Sequence, residues 1–75
     1  MTNFSHAFSA NNQEDFEFEL IPLIISLLDS QKISYPQSQY IIDNYIDFAK
    51  NNQFDKSKYQ IKVNSLIESQ AAGLD

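Results

Sequence analysis

"EDFEFELIPLIISLLDS", Glu14 to Ser30, is the stretch whose reading decides the fold. It opens with acids alternating with phenylalanines, turns almost wholly apolar, and carries Pro22 near its middle. Read as a strand, Phe16, Phe18 and Leu20 share one face, while Glu17, Glu19 and Ile21 share the other. That alternation then collapses in the run from Leu20 to Ile25. Read as a helix, Phe16, Leu20, Leu23, Ile24, Leu27 and Leu28 fall at helical intervals over about four turns. Asn11 or Asn12 supplies an N-cap, and Glu14 and Asp15 sit where the helix dipole favours acids. The spacing predicts a helix.

Pro22 is the awkward residue in that helix. It lacks the N–H that would bond the carbonyl of Phe18, and a proline in a helix interior costs about 3 kcal/mol. Two outcomes accommodate it: a helix kinked at Pro22, or a helix broken there with Pro22 in the first turn of a second segment. Phe18, Ile21 and Ile25 form a second apolar stripe beside the main one. A helix apolar on two sides buries both or gives one to another chain. A membrane span is excluded for this stretch by length, since Leu20 to Leu28 falls well short of the roughly 20 residues required. An interfacial helix wants a basic polar face, and this one is acidic.

Working outward, "DSQKISYP" (Asp29 to Pro36) reads as a break followed by a helix start. Ser34 and Gln37 fit a capping box, and Pro36 fits the first helical turn. The second helix is expected over about Tyr35 to Asn51. Its main face is Ile41, Tyr45, Phe48 and Ala49, broadened by Ile42 and Ile46, with Asp43 and Asp47 exposed. The short connection makes the first two helices antiparallel neighbours. "KNNQFD" (Lys50 to Asp55) is the next break, with Asp55 as the cap of a third helix whose face is Tyr59, Val63, Leu66 and Ile67. Gly73 is a suitable stop. A competing α+β fold pairs short strands near Phe16–Leu20 and Tyr59–Val63.

The expected fold is therefore all-α: a small three-helix bundle, or a helical hairpin plus a third helix. Residues 14–72 form the single domain, 73–75 a C-terminal tail, and 1–13 a flexible N-terminal arm. Within the arm, Phe4 and Phe8 are four apart and would share a helical face if a partner ordered them.

The 75 residues suit one small domain, which buries only about 60% of its unfolded surface. There is no cysteine, so neither a disulfide nor a thiolate metal site can help to hold it together. Hydrophobic residues make up 43% of the chain, enough for a core and too many for global disorder. Ten acids oppose five basic residues, all lysine, for a net charge of -5. That balance disfavours direct nucleic-acid binding, which relies on basic patches and on arginine. Lys56, Lys58 and Lys62 form a small cluster, too little for a helix-turn-helix reader. The first residues lack the basic and apolar regions of a secretory signal, so a cytoplasmic location is the expectation. Heavy use of Asn, Gln, Ile, Lys, Ser and Tyr suits an AT-rich genome, microbial or viral.

No catalytic constellation is legible. His6 is the only imidazole and has no nucleophile at a recognisable spacing. Asp15 and Glu19 are one helical turn apart, but no further ligand completes a metal or acid-base site. There is no phosphate loop or nucleotide fingerprint. No cofactor, no small-molecule substrate and no enzymatic activity are expected.

The expected function is a small acidic protein-interaction module, acting as a homodimer or as a subunit or adaptor of a larger assembly. Its expected interface residues are Phe18, Ile21, Ile25, Tyr40 and Tyr45, because tyrosine suits interfaces and the α-helical stripe needs a cover. The alternative is an acidic decoy inhibitor of a nucleic-acid-binding protein, presenting Glu14, Asp15, Glu17, Glu19, Asp43 and Asp47 in place of phosphates. A DNA-binding regulator is the lesser alternative.

Overall fold

The computed structural model describes residues 7–72. They form three α-helices of equal length: α1 (Gln13–Asp29), α2 (Tyr35–Asn51) and α3 (Lys56–Ala72). The chain is an all-α three-helix bundle, and no strand occurs among the described residues. Both segments that compete as strands, Phe16–Leu20 and Tyr59–Val63, are helical, which sets the α+β fold aside. Their buried residues explain why. Phe16, Leu20, Ile24 and Leu27 in α1, and Tyr59, Val63, Leu66 and Ile67 in α3, repeat every three or four residues.

α1 begins where Asn12, in extended conformation, accepts the amide of Asp15 at 2.8 Å. It then runs without interruption through Pro22, so the broken-helix alternative does not hold. Pro22 is exposed, and the Phe18 carbonyl that it leaves without its helical donor belongs to a residue 72% exposed. Water can serve that carbonyl, which is why a long apolar face outweighs the lost bond. The helix ends in a Schellman turn: Gln31 donates to the Leu28 carbonyl at 3.1 Å and Lys32 to the Leu27 carbonyl at 2.9 Å. Gln31 takes the left-handed conformation, φ 60°, at the position glycine usually fills. Ile33, just beyond, is buried and anchors the turn.

α2 starts with the expected capping box. Gln37 Oε1 accepts the Ser34 amide at 2.7 Å, and Ser34 Oγ accepts the Gln37 amide at 3.4 Å. α3 starts at the expected cap, with Asp55 Oδ1 accepting from the Lys58 amide at 3.2 Å. Gly73, the expected stop, and the tail 73–75 lie outside the described residues.

The core is aromatic at one end and aliphatic at the other. Phe16 sits at the aromatic centre, with ring centroids 4.0 Å from Phe8, 5.8 Å from Tyr45, 5.7 Å from Tyr59 and 6.1 Å from Phe54. Such pairs add to the stabilisation from area burial. The presence of Phe8 changes the reading of the N-terminus. Residues 1–13 look like an arm by composition, yet Phe8 is 2% exposed and Ala10 is buried beside it. Ser9 is also tied down, donating its amide and hydroxyl to the two Glu19 carboxylate oxygens at 3.0 Å. From Phe8 onward the chain belongs to the domain because one ring fills the end of the core. Residues 1–6, with Phe4 and His6, lie outside the described residues.

Candidate functional site

α1 and α2 leave an open apolar groove of about 640 Å³ between them. α1 contributes Leu20, Ile21, Ile24, Ile25 and Leu28, with Glu17 at one end. α2 contributes Tyr35, Ser38, Gln39, Ile42, Tyr45 and Ile46. Glu17 near the start of α1 and Tyr45 late in α2 share one end, while Leu28 and Tyr35 share the other. The two helices are therefore antiparallel, as their short connection requires. No residue of α3 lines the groove.

The side chains divide into a floor and a rim. Leu20, Ile24, Ser38 and Tyr45 are buried and form the floor. Ser38 is satisfied locally, its hydroxyl donating to the Tyr35 carbonyl at 2.7 Å. Ile21, Ile25, Tyr35 and Ile46 are exposed and form the rim. Phe18, 72% exposed, continues the stripe of Ile21 and Ile25 on α1. Single exposed apolar residues are ordinary on a protein surface, but this many along one groove is not.

Of the five expected interface residues, Ile21 and Ile25 come together on the groove rim. Ile21 and Ile25 line the groove, Phe18 lies one turn away, and Tyr40 is 49% exposed on α2. Tyr45 is a correction. It is 2% exposed and packed against Phe16 and Tyr59, so it belongs to the core and meets the groove only as part of its floor. Its position on the Ile41–Ala49 face of α2 decides this, because that face is the one turned to the core. Burial pushes the Tyr45 hydroxyl above the usual phenol range, with the Glu17 carboxylate adding to the effect. The Tyr45 Oη is buried and meets no hydrogen-bond partner in good geometry, while the Glu17 carboxylate beside it interacts with the hydroxyl. Tyr59 is raised for the same reasons, burial first and Glu17 second.

The six acids of the expected acidic surface are split. Glu17 lines the groove and accepts from Gln13 Nε2 at 3.1 Å. Glu19 is half-buried on another side, held by Ser9. Two residues apart on a helix of 3.6 residues per turn, they point roughly 160° from each other. Glu14 is one turn before Glu17, and Asp43 is bonded to the groove residue Gln39 at 3.0 Å. Asp15 and Asp47 are exposed. Of the lysine cluster, Lys62 places its Nζ 5.7 Å from the Phe48 ring centroid.

The residues that sequence reasoning left out of the interface are Tyr35 and Ile46. Ile46 carried a signal, since it broadens the apolar face of α2 past what one core can cover. Tyr35 carried only the general suitability of tyrosine for interfaces, because at a helix start beside a proline it belongs to no apolar stripe. Among the described residues, no three His, Cys, Asp or Glu side chains come together to hold a metal ion. No described helix is long and apolar enough to cross a membrane. Comparison with protein families, curated proteins and solved structures finds no match to the chain.

Proposed function

We propose that this chain is a small acidic protein-interaction module without catalytic activity, a subunit or adaptor that docks through the α1/α2 groove. One observation carries the reading: the exposed apolar side chains Ile21, Ile25, Tyr35 and Ile46 converge on a single groove, with Phe18 beside it. The fold itself does not need these side chains outside, because the core on the other faces is already closed by Phe8, Phe16, Tyr45 and Tyr59. Keeping them exposed lowers solubility, which a partner would offset by covering them. The decoy alternative needs one continuous acidic face, and it is supported less because Glu17 and Glu19 point to opposed sides of α1.

The test is sedimentation equilibrium of the chain, paired with affinity capture from its native host. Wild-type protein is compared with the variants Ile25→Asp and Ile46→Asp. The expected result is a specific partner or a defined oligomer that both variants lose while their thermal melting stays close to wild type. A stable monomer that captures nothing would remove the reading.

A further inference from the structure

We infer that the groove between α1 and α2 receives an amphipathic helix of a partner protein, seated as a fourth helix, with its basic residues gathered at one end. This rests on the interaction reading above and adds the shape and charge of the partner. The shape argument comes from the walls. Two antiparallel helices border the groove, α1 from Glu17 to Leu28 and α2 from Tyr35 to Ile46, over about 18 Å each. Isoleucines stand one turn apart on each side, Ile21 and Ile25 on α1 and the half-buried Ile42 and exposed Ile46 on α2. Such ridges accept a helix whose apolar residues repeat at i, i+3 or i+4, and i+7.

Charge is distributed unevenly along the groove. Glu17 is the one charged lining residue, and no lining residue is basic. Asp43, about half a turn before Tyr45, and Glu14, one turn before Glu17, add to the same half. Against these acids stands Lys50, one turn beyond Ile46. At the far end, past Leu28 and Tyr35, Asp29 and Lys32 offset each other. A partner helix with lysine or arginine in its turns at the Glu17 end meets opposite charge there, which favours both encounter and register. A second copy of this chain matches poorly. Its own α1/α2 face carries the same acids and brings no cationic end. The outer face of its α3 offers Lys58 and one exposed large apolar side chain, Ile61, while Lys62 is engaged over Phe48.

The experiment uses the full chain and three fluorescein-labelled peptides of about 18 residues. The first has leucines at helical spacing and lysines in one terminal turn. The second has glutamates in place of the lysines. The third has the composition of the first in scrambled order. Binding is read by anisotropy, and the contact surface by isoleucine methyl NMR. The proposal expects the lysine peptide to bind about tenfold or more tightly than the other two, with affinity falling several-fold from about 50 to about 300 mM salt. Shifts should fall on the methyls of Ile21, Ile25, Ile42 and Ile46 and spare Ile61. The double variant Glu17→Gln/Asp43→Asn should lose several-fold in lysine-peptide affinity at unchanged melting temperature.

Equal binding of the lysine and glutamate peptides at those methyls overturns the charge assignment and leaves the interaction reading standing. Self-association through the same isoleucines, without peptide binding, makes a second copy the occupant and overturns the proposal alone. Binding of the lysine peptide spread over Ile61 and α3 overturns the site. A monomer that binds none of the peptides and captures no host partner overturns both this proposal and the reading beneath it.

Discussion

Tyr45 and Tyr59 lie edge to face in the core, ring centroids 5.8 Å apart and planes at 79°, yet only one of the two hydroxyls is paired. Tyr59 Oη donates to the Asn52 carbonyl at 3.0 Å and lies 3.5 Å from that of Ala49. Both carbonyls stand at the C-terminal end of α2, where no further helical amide remains to serve them. Tyr59 thus fastens α3 to the end of α2. Tyr45 Oη has no equivalent partner.

Opposite responses to the same substitution follow. Tyr59→Phe should cost about 1–2 kcal/mol, since it removes a hydrogen bond and strands a carbonyl. Tyr45→Phe should leave stability unchanged or raise it by up to about 1 kcal/mol, since it removes a buried unpaired hydroxyl and keeps the ring. Urea denaturation of the two variants checks the pair. A larger loss for Tyr45→Phe would show that its hydroxyl is bonded in solution.

Alkaline pH should unfold the protein. Both phenols are raised from their ordinary value of 10.0, chiefly by burial, so the folded state favours the neutral hydroxyl. In the unfolded chain they ionise near 10, so their contribution is complete below pH 10. It is lost as pH climbs above 10 towards the raised folded value. Thermal melting followed across that range should show a falling midpoint. Tyr45→Phe should blunt the fall, and an undiminished slope in that variant would count against Tyr45 as a source.

Truncating the N-terminal segment should destabilise the fold. Phe8 stacks on Phe16 at 4.0 Å and is nearly inaccessible, so Phe8→Ala should cost about 3–5 kcal/mol. Deleting residues 1–10 should do at least as much. Denaturant midpoints measure both. Unchanged stability after the deletion would return the segment to the status of an arm.

Pro22→Ala should stabilise the protein by about 1–3 kcal/mol. Pro22 is exposed, and alanine restores an amide to the Phe18 carbonyl. Melting temperature and helical circular dichroism report the change. A loss of stability would mean that Pro22 sets a curvature of α1 on which the packing depends.

Ile21→Ser and Ile25→Ser should each change stability by no more than about 0.5 kcal/mol, because both side chains stand more than half exposed on the groove rim. Their effect belongs to binding. A large loss of stability in the isolated chain would show that the rim is part of the core.

The helices are written in local residue patterns. Hydrophobic spacing in α1 and α3, the Ser34–Gln37 capping box and the Asp55 cap are local signals, and each appears in the fold where its residues place it. The end of α1 was less legible, because Gln31 takes a left-handed turn with no glycine to announce it. What only the tertiary structure decided is which apolar side chains are inside. Phe8 looked like part of a tail and Tyr45 like part of an interface, and both are core because they fill space around Phe16. Ile46 and Tyr35 are rim residues because α1 and α2 stand apart along the groove. Periodicity shows that a helix has apolar faces. Which face meets a neighbour depends on the distance and rotation between helices, and those are set by the packing of the whole chain.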